Sequence, residues 1–258
     1  AYLADSPWPM SHRNPYNQAS SPFSGPVADT AAGSKPHSTT ATARSLAECA
    51  VPITLVHGEK NSKGRFSIWG NCKSTVFKID SNSGAWTTSI TIGKGDLEAR
   101  HISGAYTLID SENTYFMPYG RYVLGYLEKE KGEPSSDIEE SKTFEIPKSL
   151  LVDSTEDIVG LNLTYDGWLA AITRYNLLVL IDRASGKQVY LRLSKGDDEE
   201  VSNSLALDEN GGIYALSDEA LYRVQWDKTT HTLKQTWRAP YPKAGYSLPG
   251  RLCEGSGT

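Results

Sequence analysis

The sequence lacks any apolar run long enough to cross a membrane. None of its 258 residues falls in a stretch of 18 consecutive apolar residues, so we expect no membrane-spanning helix. It also lacks an excess of positive charge: 26 basic residues stand against 31 acidic ones, for a net charge of −5. Because nucleic-acid binding relies on neutralising phosphates, this balance disfavours nucleic acid as the main partner. The three cysteines lack Cys-x-x-Cys spacing and are too few for a disulfide scaffold.

Residues 1–50 differ in composition from the rest of the chain. Six of the 13 prolines fall there, among many serines, threonines and alanines. Proline removes backbone donors and small polar residues bury little surface, so we expect an extended Pro/Ser-rich segment that is partly flexible at 29–42. The chain starts at Ala1 without an initiator methionine. We interpret it as a mature secreted or periplasmic chain, with a removed tag or leader as the other interpretation.

From residue 52 onward, short runs alternate apolar and polar residues and are separated by turn signals. Arg65–Trp69 and Gly211–Ser217 are two such runs. This period of two is typical of β-strands, and no run carries a convincing helical stripe over 11 residues. The sequence therefore predicts an all-β domain over 51–258.

The runs recur in sets of four. The second strands of successive sets begin near 65, 114, 168 and 213, so the sets are spaced by 49, 54 and 45 residues. Four-stranded antiparallel units at this spacing are typical of β-propeller blades, as in WD40 repeats, because such a sheet is apolar on both faces and needs a neighbour on each side. We expect four blades, at about 51–93, 101–147, 157–194 and 201–240.

Two segments stand outside this regular pattern. The longest break is the charged stretch Glu128–Lys142, which is either a solvated insertion on the outer rim or a lid and partner site. Residues 250–258 lie where a further blade would start. We therefore expect the chain to form part of a larger ring that a second polypeptide completes, made separately or by proteolytic processing after Thr258. A closed four-bladed ring is the alternative.

Two predicted turns carry a family resemblance. Asp80–Gly84 and Asp182–Gly186 resemble the Asp-x-x-(Ser/Thr)-Gly repeat of PQQ-type (quinoprotein-like) β-propellers, and Asp5–Met10 resembles the mature start of many secreted members. The resemblance implies that the aspartates form the turns and that the glycines take positive φ. The family's docking tryptophan is not at its expected spacing, and the adjacent cysteines of some PQQ enzymes are absent. No specific residue therefore supports PQQ as the cofactor.

Chemistry in such a fold is expected at the mouth of the central channel, which the first strand of each blade lines. Alignment of the repeats on Asp110, Asp166 and Asp208 places residues nine positions earlier at equivalent sites. These are His101, Asp157 and Glu199, with Glu254 as a fifth-blade counterpart. We predict His101, Asp157 and Glu254 as catalytic residues and His101, Asp157 and Glu199 as ligands of a divalent metal. The other interpretation is that all are solvated loop residues.

The cysteines make one pair and an odd thiol. In a secreted chain, Cys253 can bridge to Cys49 or to a partner chain, and free buried thiols are the alternative. Which of the three cysteines, with Cys72, form the pair stays open.

Three functions are compatible with this fold. We expect first an enzyme that acts on a small organic substrate at the channel mouth, by metal-assisted hydrolysis, elimination or oxidation. The alternative is a non-catalytic binding or assembly module, which predicts an exposed apolar patch. A weaker alternative is a PQQ-dependent dehydrogenase. Because propellers host all three, the fold does not choose among them.

Overall fold

The computed structural model describes residues 54–72, 74–93, 106–195 and 199–242. These ranges contain sixteen β-strands, one short 3-10 helix at Lys148–Leu150 and no α-helix. Within them, no helix has the length and apolarity needed to cross a membrane. The predictions for the N-terminal segment 1–50 and for the start of a further blade at 250–258 lie outside the described residues.

The strands form four sheets of four, in chain order. Sheets 1 and 2 consist of β1 (Leu55–His57), β2 (Ser67–Cys72), β3 (Thr75–Asp80), β4 (Trp86–Thr91), β5 (Leu108–Ile109), β6 (Tyr115–Tyr119), β7 (Tyr122–Glu128) and β8 (Ile138–Glu145). Sheets 3 and 4 consist of β9 (Ile158–Leu163), β10 (Trp168–Thr173), β11 (Leu177–Asp182), β12 (Gln188–Arg192), β13 (Ala206–Leu207), β14 (Gly212–Leu216), β15 (Ala220–Asp227) and β16 (Thr232–Pro240). In every sheet, each strand pairs antiparallel with the next one along the chain.

This strand order is that of four consecutive propeller blades, so the predicted all-β class and the four-stranded repeats are confirmed. Strands β3, β7, β10 and β11 have the predicted limits. One boundary differs in a way that bears on function. Strand β8 begins at Ile138, because its first residues pair with the end of β7 through a bulge at Gly125 and Tyr126. The long break is therefore 129–137 and not 128–142.

The sheets pack face to face in the order of the chain. One buried cluster lies between sheets 1 and 2, a second between sheets 2 and 3 and a third between sheets 3 and 4. First strands contact first strands, as β1 contacts β5 and β9 contacts β13. The first strand β9 is buried throughout, whereas most of β16 is exposed. The first strands thus form the inner edge of the arc and the fourth strands its outer rim.

Sheet 3 shows why each blade needs two neighbours. Every residue of β10 is buried, and so are the first five of β11, because sheets 2 and 4 cover its two faces. In sheet 4, by contrast, β15 alternates between buried and half-exposed residues until Asp227. The buried side chains of β15 face sheet 3, and the half-exposed ones form the outer face of sheet 4.

The turns between third and fourth strands have the geometry that the resemblance implies. Gly84 has φ +66° and Gly186 has φ +73°, and their amides donate to the carbonyls of Asp80 and Asp182, each over 2.8 Å. Sheet 4 makes the same turn from Asp227 without glycine. There His231 takes φ +54°, and its ring stacks on that of Trp226 with a centroid distance of 5.6 Å.

We expect Gly84→Ala to lower the free energy of unfolding by about 1 kcal/mol, because a Cβ is disfavoured at positive φ. No neighbouring atom lies within 4 Å of the added Cβ, so the change in stability reports the cost of placing a residue with a Cβ at positive φ. Gly93→Ala is the control, since that position has equally open space and no positive φ. Chemical denaturation monitored by tryptophan fluorescence measures both variants. Equal stability of the two would contradict the assignment of strain to the turn.

Candidate functional site

Two of the predicted site residues fall in the described part of the chain. Asp157 lies directly before β9 and is 7% exposed, and Glu199 lies before β13 and is 6% exposed. Both are therefore buried carboxyl residues at the start of a blade and not solvated loop residues. His101 and Glu254 lie outside the described residues, so the predicted convergence of His101, Asp157 and Glu254 stays a prediction.

The Glu199 carboxylate is surrounded by donors from its own sheet. Ser217 donates a hydrogen bond to Oε1, and the Tyr222 hydroxyl lies 2.7 Å from Oε1 and 2.8 Å from Oε2. An Arg238 guanidinium nitrogen lies 3.4 Å from Oε2. Burial, together with the Glu199 charge, raises the pKa of Tyr222 to about 12, so the phenol stays protonated and remains a donor at neutral pH.

A second buried carboxylate, Glu156, has the same surroundings in sheet 3. It is 1% exposed and accepts a hydrogen bond from the Thr173 hydroxyl. The Arg192 guanidinium contacts both carboxylate oxygens, at 2.8 Å and 3.2 Å, and the Val152 amide donates over 2.6 Å. This bidentate geometry is the strong form of an arginine–carboxylate pair.

The structure therefore places Glu156, and not Asp157, in the position of Glu199. Ile158 pairs with Thr173 and Val201 bridges to Ser217, and each glutamate lies two residues before the paired residue. The repeat alignment missed this match by one position. The predicted match counts nine residues back from Asp166, whereas the first turn of sheet 3 starts at Thr164, whose amide donates to the Trp168 carbonyl over 2.8 Å. Glu156 lies eight residues before Thr164 and Glu199 lies nine before Asp208, so this stretch is one residue shorter in sheet 3 than in sheet 4. The catalytic role of Asp157 stays a prediction.

These two clusters have the chemistry of structural supports. Each glutamate is paired with an arginine of the fourth strand and a hydroxyl at the end of the second strand. Each network thereby ties the start of a blade to its outer strand, and removing one member leaves a buried charge without compensation. Among the described residues, no group of three or more His, Cys, Asp or Glu side chains is arranged to hold a metal ion.

A third buried charge pair lies between sheets 1 and 2, near the opposite ends of the strands. The Lys78 ammonium lies 3.1 Å from Glu128, and both side chains are fully buried. Asn113 donates to the other Glu128 oxygen over 3.1 Å, and Ser67 donates to the same oxygen that Lys78 contacts. Burial lowers the pKa of Lys78, although the Glu128 charge opposes this shift.

The 129–137 loop follows Glu128 and packs on sheet 1. Its Gly132 amide donates to Glu128 over 2.6 Å, and the Gly132 carbonyl accepts from the Asn61 side chain over 2.8 Å. Ion pairs join Lys131 to Glu59 and Glu133 to Arg65, each at 3.0 Å. The charges of the loop are thus used to fasten blade 2 to blade 1, which fits an insertion at the rim better than a mobile lid.

A cleft of about 660 Å³ lies between the first turns of sheets 3 and 4. No sequence pattern predicts this cleft, because its lining comes from turns that are far apart along the chain. Its lining includes Asp166, Asp208 and Trp226, and the Trp226 indole donates to Asp166 over 3.0 Å. Burial favours the neutral form of Asp208, but hydrogen bonds from Gly212 and Tyr214 lower its pKa below the usual value.

Cys72 belongs to a disulfide bond. It ends β2 and packs with Phe77 on the face of sheet 1 that points away from sheet 2. Its partner lies outside the described residues. Cys72 is therefore one member of the expected disulfide pair. A bridge between Cys49 and Cys253 would instead have left Cys72 as the odd thiol.

One curated relative matches nearly the whole chain. It is an uncharacterized protein of Archaeoglobus fulgidus, 34% identical over 259 residues, and the match covers 98% of this chain and 47% of the relative. The chain thus spans about half the length of the relative. No protein-family model matches the sequence.

Solved structures similar to this chain are propellers of different functions. A catalytically inactive virginiamycin B lyase from Staphylococcus aureus has a TM-score of 0.48 at 12% identity, covering 71% of this chain and 54% of the lyase. A periplasmic gluconolactonase from Pseudomonas aeruginosa has 0.48 at 12% identity, covering 73% and 56%. The WD40 repeats of RRP9 have 0.46 at 14% identity, covering 66% and 47%. The blade assignment rests on the strand order and packing of the chain itself, since these TM-scores lie below 0.5.

We expect Glu156→Gln to lower the free energy of unfolding by about 2–3 kcal/mol, because it leaves the partly buried Arg192 without its counter-charge. Glu145→Gln is the matched control. Glu145 also pairs with an arginine, Arg121 at 2.9 Å, but its side chain is 48% exposed, so the loss there should stay below about 1 kcal/mol. Urea denaturation of the two variants tests this. A loss at Glu145 as large as that at Glu156 would contradict the structural role.

Proposed function

We propose that the chain is a non-catalytic assembly module: an arc of four blades that forms part of a larger propeller. The outer face of sheet 4 carries this proposal. Its Trp237 is 40% exposed, and Tyr214, Leu216 and Leu221 beside it are half-exposed. The same face of sheet 3 is buried under sheet 4. Apolar side chains clustered on an uncovered face often mark an interaction site.

The carboxylates at the blade starts support the same proposal. Glu156 and Glu199 are held by arginines and hydroxyls, so they stabilise blades and have no open position for a substrate. The length of the archaeal relative also fits, because it exceeds this chain by about a factor of two. A second polypeptide, or further blades in a longer chain, would then cover the outer face of sheet 4.

The repeat type and the compartment belong to this proposal as well. The turns at Gly84 and Gly186, with positive φ and the aspartate carbonyl as acceptor, support a PQQ-type repeat, with no residue that assigns the cofactor. The disulfide of Cys72 supports a secreted or periplasmic location, since disulfides persist mainly in oxidising compartments.

An enzyme with a channel-mouth site is the second candidate. The observation in its favour is the burial of Asp157 beside Glu156, at the start of an inner strand. In this hypothesis Asp157 acts with His101 and Glu254 on a small organic substrate, and Asp157, His101 and Glu199 hold a divalent metal. The Arg238 and Tyr222 contacts of Glu199 oppose the ligand role, because they occupy both of its oxygens.

We expect the isolated chain to bind a solvatochromic dye such as ANS through the outer face of sheet 4. The double variant Leu221→Asp, Trp237→Ser should lose most of this fluorescence, because it makes that face polar. Val152→Ser is the control, since Val152 is a similarly exposed (42%) apolar residue elsewhere on the chain. Dye binding that the double variant leaves unchanged would contradict an open face on sheet 4.

The two candidates also differ in metal content. As an assembly module, the native protein should contain no stoichiometric divalent metal by elemental mass spectrometry. The catalytic hypothesis predicts about one ion per chain that is lost in Asp157→Asn and kept in Asp153→Asn. Asp153 is a fair control because it is exposed and its carboxylate accepts from the nearby Thr155. A stoichiometric metal ion that is lost in Asp157→Asn would contradict the assembly proposal and favour the enzyme.

A further inference from the structure

Sheets 1 and 4 carry the same cation–aromatic pair in equivalent places. In sheet 1, Lys78 of β3 lies opposite Trp69 of β2, with its ammonium 5.5 Å from the indole centroid. In sheet 4, Arg223 of β15 lies opposite Tyr214 of β14, with its guanidinium 5.7 Å from the ring centroid.

The register of the strands shows that the two pairs are equivalent. Cys72 pairs with Thr75 in sheet 1, and Ser217 donates to Ala220, over the same spacing of three residues, in sheet 4. Lys78 lies three residues after Thr75, and Arg223 lies three residues after Ala220. Both side chains point to the side on which the next blade of the chain lies or would lie.

The seam between sheets 1 and 2 shows what this position receives. There Lys78 and Trp69 are both 0% exposed. Blade 2 supplies the Glu128 carboxylate to Lys78 and stacks Tyr115 on Trp69, with ring centroids 5.3 Å apart. The pair thus works as a receiving site for one carboxylate and one aromatic ring of the following blade.

Arg223 has no comparably close carboxylate among the described residues. It donates to neutral oxygens, those of Tyr214 at 3.2 Å, Thr236 at 3.2 Å and Gln225 at 3.0 Å. The nearest acid is Asp208, at 4.0 Å, and that carboxylate already accepts from Gly212 at 2.7 Å. An arginine held between an aromatic ring and neutral acceptors on a half-exposed face is well placed to bind an incoming carboxylate.

We propose that the outer face of sheet 4 binds a further propeller blade that brings a carboxylate to Arg223, from the position that Glu128 has in blade 2. This inference rests on the proposed assembly function and names its partner. The partner is a four-stranded blade that is not a copy of blade 1. Glu128 lies six residues after Tyr122, and the same step from Thr75 leads to Ser81, so a second copy of the chain would offer a hydroxyl and no carboxylate.

The experiment measures binding of this chain to the part of the Archaeoglobus fulgidus relative that it does not match, produced as a separate polypeptide. Calorimetry gives the affinity and sedimentation gives the stoichiometry. We expect a 1:1 complex that Arg223→Ala weakens by about tenfold or more and Arg223→Glu weakens further, because the incoming carboxylate is then repelled. Arg121→Ala is the matched control: Arg121 lies 4.6 Å from the Tyr122 ring, in blade 2, and its loss should leave the affinity unchanged.

Each other outcome overturns the inference. It is wrong if no complex forms, if Arg223→Glu binds as tightly as the unaltered chain, or if Arg121→Ala is equally weakened. It is also wrong if the chain alone forms a dimer that Arg223→Glu dissolves, because the partner is then a second copy. The dye experiment separates this failure from that of the assembly function. If sheet 4 binds the dye but the chain does not bind this partner, the assembly function is retained. Only the proposed carboxylate contact to Arg223 is then wrong.

Discussion

A four-stranded sheet with two apolar faces must be covered on both sides, and the rest of this structure depends on that constraint. Sheet 3 meets it fully, since β10 is buried throughout between sheets 2 and 4. The hydrophobic effect acts on area without regard to direction, so it explains that blades stack but not which surfaces meet. The polar contacts at the seams supply that direction. Lys78 meets Glu128 between blades 1 and 2, Arg183 meets Asp110 between blades 2 and 3, and Trp226 meets Asp166 between blades 3 and 4.

The buried carboxylates illustrate how structural and catalytic signals overlap. A buried acid at the start of an inner strand is where an enzyme of this fold would place a reactive group, and Glu199 fits that description by position. Its oxygens accept hydrogen bonds from Ser217 and Tyr222 and contact Arg238, which favours a structural role, and its role as a metal ligand stays a prediction. Glu156 repeats the arrangement with Thr173 and Arg192. A recurrence of this kind in two blades favours a role in folding each blade over a role in one shared site.

The sequence predicted the blades because strand alternation and tight turns are local signals. Strands such as β3 and β10 have the expected limits, since β3 ends at Asp80 and β10 begins directly after Gly167. The site was harder to predict. The prediction of Asp157 counts from the Asp-Gly pair at Asp166, whereas the backbone turns from Thr164. The stretch before this turn is also one residue shorter in sheet 3 than in sheet 4, so Glu156 takes the place predicted for Asp157. The roles of the 129–137 loop and of Arg223 depend on contacts between distant residues, which no local pattern contains.

The contacts between neighbouring blades also restrict how such a chain can evolve by the transfer or duplication of blades. Each joint between neighbouring blades uses a different pair of partners: ammonium with carboxylate, guanidinium with carboxylate, and indole with carboxylate. A blade moved to another joint, or duplicated in place, would bury a charge opposite the wrong neighbour, and an uncompensated buried charge is costly. The four blades look alike as strands, but they are not interchangeable parts. The three matched contacts between neighbouring blades therefore favour one order of the blades along the arc over any other.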